Sequence, residues 1–487
     1  MKSMTVSEVA EAIGTPILGS AKDATDDSGV TSVEFDTRKV SPGALFVALV
    51  GERVDGHDFV DAAVAAGAVA VLGSKDLDID VPLLRVADND AVLQALAELA
   101  ARSAAALTAQ GQLTTIGITG SAGKTSTKDL IAALASAAGS TIAPPESFNN
   151  ELGHPYTVLR ATEQTRFLVL ELSARGPGHV AMLAKVAPPR IGVVLNVGSA
   201  HIGEFGSVDG IAQAKSELVQ ALPAAADGGV AILNADDSRV AAMATRTRAR
   251  VVTFGTHPGA DVRAENVTED HHARAGFTLM TPRGAVPVQL AVSGVHQVSN
   301  ALAAAAVGLE IGVSLQDIAQ VLGASGPASK WRMEITDRAD GVTVINDAYN
   351  ANPEAMKAAL KALVTIGTGR RRWAVLGEMA ELGEISRAAH DEIGRLVVRL
   401  GIERLIAVGA GVRGLHLGAQ LEGSWDGESE HVPDWEDAVR ILGDELRPGD
   451  VVLVKASRAV GLERVAHALL HGNPPASGDA DENGISE

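Results

Sequence analysis

LTTIGITGSAGKTST, residues Leu113 to Thr127, decides the reading of this chain. Its first half, Leu113 to Gly120, is an apolar β-branched run that ends in glycine, the pattern of a buried strand. A helix pattern starts at Lys124. Between the two lies T-G-S-A-G-K-T-S-T, Thr119 to Thr127. Gly120 and Gly123 lack Cβ, so backbone N–H groups can close around phosphate oxygens at a helix N-terminus. Lys124 would set a point charge on the β- and γ-phosphates, and the Thr125 hydroxyl can ligate Mg²⁺. The plainer alternative is a glycine-rich turn with a surface lysine. The common spacing G-x-x-x-x-G-K-S/T wants glycine at 118, where Ile118 stands, so this loop is the variant T-G-x-x-G-K-T.

Outward from the loop, the runs Phe167 to Leu172 and Ile191 to Val197 alternate with helix patterns and predict parallel strands covered on both faces. Short alternating strands from Val262 to Val292 predict an antiparallel patch, and helices resume at Val298 to Ile311. Upstream, a helix pattern at Val6 to Ile13 precedes strands at Leu45 to Leu49 and Ala68 to Leu72, with a helix at Phe59 to Ala66. A long Ala/Leu helix runs from Ala91 to about Leu107, and AALTAQGQ (Ala105 to Gln112) reads as a linker. Downstream, Val342 to Asp347, Arg372 to Gly377, Arg404 to Gly409 and Val451 to Ala456 alternate with helix patterns, as in an open α/β sheet. The expected fold class is α/β in three domains. These are a small α/β N-terminal domain (1–110), a central P-loop parallel-sheet ATPase domain (111–328) and a Rossmann-like C-terminal domain (329–472). A Pro-, Gly-, Ser- and acid-rich tail, 473–487, is expected to be disordered.

Composition agrees. The chain has 487 residues, 46% hydrophobic and 21% charged, enough for about three domains and unlike a mostly disordered chain. Forty-one basic against sixty acidic residues, net −19, argue against general binding of nucleic acid or an anionic membrane. Cysteine is absent, which removes disulfides, thiolate metal sites and Cys nucleophiles. Met1 to Pro16 has no continuous apolar core, and no apolar run approaches the ~20 residues that span a bilayer. A soluble cytoplasmic protein without membrane insertion is expected.

The variant loop and the motifs that follow it in order resemble the Mur ligase family of peptidoglycan synthesis over nearly the whole chain. The resemblance implies ATP bound by Gly120, Ser121, Ala122, Gly123, Lys124, Thr125 and Ser126. It implies Mg²⁺ held by Thr125 and by Glu171 at the end of FLVLELS, with His201 of NVGSAHIGEFG a ligand or neighbour of a second ion. Lys215, in AQAKSEL, matches A-K-x-E, whose lysine is carbamylated in the family, with Glu217 orienting it; alone, Lys215 reads as a solvated helix face. SFNNELGHP matches N-N-x-x-G and puts Asn149 and Asn150 near the substrate peptide; alone, they read as loop residues capping backbone groups. GVHQVSNALAAA, with His296, resembles G-x-H-N-x-x-N-x-x-A-A, in which Asn300 would read adenine, and Gln297 replaces the usual Asn.

Arg332 follows Trp331 where many members have glycine, and is implied to hold the nucleotide phosphates. NDAYNANP places Asp347 at the ribose, with Tyr349, Asn350 and Asn352 bordering the nucleotide. LGEMAELG, Leu376 to Gly383, is the most diagnostic third-domain string, although Glu378 and Glu381 also read as acids at a helix N-terminus. VKASR, Val454 to Arg458, makes Lys455 and Arg458 candidates for a carboxylate. FDTRKVSPGALFVAL and DGHDF resemble a uridine-nucleotide-binding domain, which points to Asp36, Thr37, Arg38 and the Asp55–Gly56–His57 turn as substrate-facing. Asp36 to Arg38 could equally be a polar turn.

The implied activity is ATP-dependent addition of D-alanyl-D-alanine to UDP-N-acetylmuramoyl-tripeptide by a monomer, with Lys124, Lys215, His201 and Arg332 as catalytic residues. A sister ligase adding the third amino acid would carry D-x-P-R in the third domain, and none is found. A folylpolyglutamate synthetase would lack the first domain. A non-catalytic ATP-binding scaffold would have no need to keep Lys124, Glu171, His201 and Lys215 together.

Overall fold

The computed structural model describes residues 1–18, 29–51, 54–145, 148–198, 202–423 and 427–472. The tail 473–487 lies outside them. The first sheet has five strands in the order Ile17–Leu18, Leu83–Arg85, Ala68–Gly73, Ala44–Val47, Ser32–Glu34. All pairings are parallel except that of the Ile17–Leu18 edge.

Helix α1, Asn89–Ala109, leaves this sheet with Asp88 as its N-cap. Its buried residues Val92, Ala95, Leu96, Leu99, Ala100, Ser103, Ala104 and Leu107 recur every three or four positions and form one stripe. The stretch expected to be a linker is therefore mostly helix. Alanine and leucine are strong helix formers, so nothing breaks the helix before Gln110. The apolar stripe then joins the two flanking domains. One continuous core contains Val47, Leu72 and Leu84 from the first sheet together with Leu152, Leu170, Leu183 and Leu218 from beyond the helix.

The central sheet has nine strands, ordered Gly284–Ser293, Arg274–Thr281, Val262–Glu269, Arg250–Gly255, Val230–Asn234, Ile191–Val194, Thr114–Thr119, Phe167–Glu171, Thr141–Ile142. The antiparallel ladder from Val262 to Ser293 continues the parallel sheet through the parallel pairing of Phe254 with Val262. Three strand ends matter. Glu171 pairs with Ile118 and Val194 with Thr119, so the carboxyl ends of three neighbouring strands finish at one level. Ligands collect at such edges of open α/β sheets.

The third sheet is ordered Glu334–Asp337, Thr343–Asn346, Val451–Lys455, Arg372–Leu376, Arg404–Val408, Ser429–Val432, parallel apart from its first strand. No helix among the described residues is long and apolar enough to cross a membrane.

Candidate active site

Helix α2, Lys124–Ala138, begins at the loop with Gly123 as N-cap at φ +81, and no side chain caps it. A Cβ at 123 would stand 2.5 Å from Asn300 Oδ1. Glycine is thus required for backbone angle and for space. Asn300 lies against the loop from the helix Gln297–Glu310, and its Nδ2 donates to Gln297 Oε1 at 2.8 Å.

Asn196, one place past the strand Ile191–Val194, shapes the loop and was not among the residues singled out from sequence. Ser121 N and Ala122 N donate to its Oδ1 at 3.0 and 2.9 Å, and its Nδ2 donates to Ala122 O at 3.0 Å. The Gly198 amide donates to Ser121 Oγ at 2.9 Å. These bonds commit the Ser121 and Ala122 amides to holding the turn, so a phosphate would meet the uncapped start of α2.

Lys124 Nζ donates to Gly120 O at 3.0 Å. Burial pushes its pKa down, and the Glu171 carboxylate works against that shift. Thr125 Oγ1 donates to Glu171 Oε2 at 3.0 Å and accepts from Arg332 Nη2 at 2.8 Å. Asn149 Nδ2 donates to the other Glu171 oxygen at 2.9 Å. Glu171 and Thr125 are each 2% exposed. A buried hydroxyl and carboxylate at adjoining strand ends are hard oxygen donors of the kind Mg²⁺ takes. His201 lies outside the described residues.

The third domain closes over this cluster. The Arg332 guanidinium carbon lies 4.2 Å from the Tyr349 ring centroid. Trp331 and Met333, on either side of Arg332, have φ +57 and +51, a left-handed conformation costing non-glycine residues roughly 1–2 kcal/mol each. Met333 N donates to Asp347 Oδ1 at 3.0 Å, which fastens the kinked segment to the NDAYNANP loop. Ser121, Lys124, Asn350, Asn352 and Glu381 line one cleft between the domains, and Glu381 stands at φ +62.

Lys455 is corrected by its surroundings. It is 2% exposed, and Nζ donates to Asp347 Oδ2 at 2.6 Å, Asn350 O at 2.8 Å and Asp347 O at 3.3 Å. All three ammonium donors are occupied, so Lys455 braces the Asp347 loop and has none left for a substrate carboxylate. Arg458 differs. Its guanidinium carbon lies 4.2 Å from the Trp331 ring centroid and its Nη1 donates to Glu463 Oε1 at 2.8 Å.

Lys215 sits on the inner face of Val208–Gln220 and is buried, not on a solvated face. Burial first, and then the Lys124 charge, hold its pKa well below the ordinary 10.5. Glu217 does not orient it. That carboxylate accepts from Gly178 N at 2.6 Å and Ala181 N at 3.0 Å, at the start of helix His179–Val186.

Toward the first domain, Asn150 Oδ1 accepts from Gly153 N at 2.8 Å, so this side chain caps its own loop. The Asp36 carboxylate accepts from Arg38 N and, as a fork, from Arg38 Nε and Nη2 at 2.9 and 3.1 Å. These bonds to Arg38 hold the Asp36 pKa below its ordinary value. The Thr37–Lys39 turn follows directly on Phe35, whose ring meets Tyr156 edge-on at 4.9 Å, and Tyr156 OH donates to Glu34 Oε2 at 3.0 Å. Phe148, beside Asn149, packs on the same Tyr156 ring. The Asp55–Gly56–His57 turn is not substrate-facing at His57. That ring is buried, with Nδ1 bonded to Asp55 at 2.6 Å and Nε2 accepting from Ser74 N at 3.0 Å.

Family models match in three consecutive pieces. They are the Mur ligase family catalytic domain over residues 29–109, the Mur ligase middle domain over 118–308 and the Mur ligase glutamate ligase domain over 331–458. The chain is 52% identical over 514 residues to UDP-N-acetylmuramoyl-tripeptide–D-alanyl-D-alanine ligase of Mycobacterium leprae, covering 96% of this chain and 99% of the relative. To the enzyme of the same name from Escherichia coli K12 it is 36% identical over 474 residues, with 96% and 99% covered. Among solved structures, MurF from Acinetobacter baumannii superposes with TM-score 0.83 at 30% identity, covering 96% of this chain and 99% of that one. MurF from Thermotoga maritima in complex with ADP gives TM-score 0.75 at 28% identity, covering 90% and 96%.

Proposed function

The chain belongs to the Mur ligase family, and from that premise we propose that it joins D-alanyl-D-alanine to UDP-N-acetylmuramoyl-tripeptide at the expense of ATP. One observation carries the reading. Thr125 and Glu171 of the central domain and Arg332 of the third meet in a single hydrogen-bonded cluster beside Lys124. Amide formation from a carboxylate needs activation. The γ-phosphoryl group of ATP passes to the terminal carboxylate of the tripeptide, giving ADP and an acyl phosphate. The dipeptide amine attacks the acyl carbon, the C–N bond forms, the C–O bond to phosphate breaks, and the amine gives up a proton. Such transfers rest on positioning and charge neutralisation. Lys124, Arg332 and the N-terminus of α2 offer positive charge to the phosphates. Mg²⁺, when bound at Thr125 and Glu171, adds neutralisation of phosphate charge.

Residues 1–110 bind the uridine nucleotide, with Asp36, Thr37 and Arg38 near it. Residues 111–328 bind ATP, with Asn300 and Asp347 beside the nucleotide, and Asn149 and Asn150 border the peptide. Residues 329–472 bind the dipeptide, whose carboxylate Arg458 takes. Lys215 reacts with CO₂ as the neutral amine, its nitrogen bonding to carbon as a proton leaves, and the resulting carbamate anion supports a second metal near His201. Burial of Lys215, which favours the neutral amine, supports this step. The enzyme works in the cytoplasm as a monomer, a reading supported by a site completed within one chain. The test is ADP release with each UDP-muramoyl peptide, with and without D-alanyl-D-alanine. Dipeptide-dependent release with the tripeptide is expected; release with a shorter peptide and a single amino acid instead would overturn the assignment.

A further inference from the structure

The reaction needs Arg332, yet it makes no demand on Trp331. A glycine would hold φ +57 without strain, whereas tryptophan holds it against strain, so the indole's own contacts must offset that cost. Two left-handed residues, Trp331 and Met333, flank Arg332 and send consecutive side chains to different partners. Arg332 reaches Thr125 and the Tyr349 ring. Trp331 lies 4.2 Å from the Arg458 guanidinium carbon, and its carbonyl accepts from Tyr349 N at 3.2 Å.

Arg458 follows the strand Val451–Lys455 and opens a short turn, Arg458–Val460. Its guanidinium rests on the indole, one nitrogen donates to Glu463, and the side chain is 44% exposed. A guanidinium packed on an aromatic face and pinned at one edge keeps its plane fixed while other N–H groups remain to bind a planar anion. Because less side-chain freedom is lost on binding, a carboxylate is held more tightly by such a fork than by a free one.

We propose that Trp331 is a positioning residue for the incoming dipeptide, fixing the plane of the Arg458 guanidinium that takes the dipeptide carboxylate. The proposal rests on the ligase reading above. It places the nucleotide contact, Arg332, and the support of the dipeptide contact, Trp331, on adjacent residues of one kinked segment.

The test is steady-state kinetics on the full chain with Trp331→Gly, Trp331→Phe, Arg458→Ala and the Trp331→Gly/Arg458→Ala double variant, with melting curves alongside. Trp331→Gly should raise KM for D-alanyl-D-alanine about tenfold and leave KM for ATP within about twofold. Its melting temperature should not fall, since strain is relieved. Trp331→Phe, which keeps an aromatic face, should recover most of the loss. Adding Trp331→Gly to Arg458→Ala should change the dipeptide KM little. An unchanged dipeptide KM in Trp331→Gly, an equal rise in both KM values, or full additivity in the double variant overturns the proposal. A wild-type chain that releases no ADP in response to the dipeptide overturns the ligase reading itself, a result visible before any variant is made.

Discussion

Lys455→Met tests whether Lys455 is a brace or a ligand. The ammonium is buried and makes three hydrogen bonds, two of them to Asp347 and one to the Asn350 carbonyl. Methionine fills the space of the stem but supplies no charge. The Asp347 carboxylate then keeps one backbone donor, Met333 N at 3.0 Å. Breaking a buried pair by removing one partner costs roughly 3–5 kcal/mol. Asp347 retains 14% exposure, so water can reach it, and a value near the low end, about 3 kcal/mol, is expected. For a domain of this size that is a fall of roughly 10 °C in the unfolding of the third domain. Calorimetry on the full chain reads it, because the third domain has its own core and can give its own transition. Adding Asp347→Asn removes the orphaned charge and should recover more than half of the loss. A Lys455→Met protein that melts within about 2 °C of wild type while its dipeptide KM climbs would refute the reasoning. It would return Lys455 to the substrate carboxylate.

Gly123→Ala should abolish dipeptide-dependent ADP release, because its Cβ would lie 2.5 Å from Asn300 Oδ1 at a φ of +81; turnover within tenfold of wild type would show that the loop tolerates a side chain. His154 is buried, and burial lowers its pKa from 6.5 to about 4. The unfolded chain therefore binds a proton at a pH where the folded ring refuses it, so stability is complete above pH 6.5 and drains away as the pH falls toward 4, by up to about 3 kcal/mol. Urea titrations of His154→Leu should show a flatter decline across that window, and an unaltered slope counts against the assignment. Glu34 is raised above its ordinary 4.5, chiefly by burial, with the Tyr156 hydrogen bond opposing. Its ionised form thus costs stability at neutral pH, a cost relieved as the pH drops below 4.5. Glu34→Gln, which can still accept from Tyr156, should be at least as stable as wild type at pH 7, with the gap closing in acid; a clearly destabilised variant at pH 7 contradicts this.

What could be read from sequence was local. The strand, the two glycines and Lys124 lie within a dozen residues, and each does its work through its own backbone angle or position in the turn. Glu171 and the alternation of the third domain were legible for the same reason, since a strand end declares itself through the apolar run before it. Arg332 and Asp347 entered only through resemblance, because the Arg332–Thr125 bond spans 207 residues and leaves no periodicity. Asn196 stood inside a quoted motif and was passed over. Its task is to accept from two loop amides, and an asparagine past a strand looks the same whether it does that or faces water. The linker reading failed on composition, since small residues suggest flexibility until one notices that Leu96, Leu99, Ser103 and Leu107 keep helical spacing.

Lys455 shows what was missing most clearly. Lysine at the end of a strand, near an expected anion, supports a ligand as well as it supports a brace. The decision lies in the register of two parallel strands, Asn346 opposite Val454. That pairing sets Asp347 and Lys455 side by side, one residue beyond the ladder, where a charged pair can form at 2.6 Å. With any other register the ammonium would be buried without its carboxylate and would have to find an anion elsewhere, so the same side chain would become the ligand it was first taken for. Register depends on which strands are neighbours, and Thr343–Asn346 and Val451–Lys455 are more than a hundred residues apart in the chain. Arg458, three residues further on, is past the strand and free of that constraint, which is why the carboxylate-binding role passes to it.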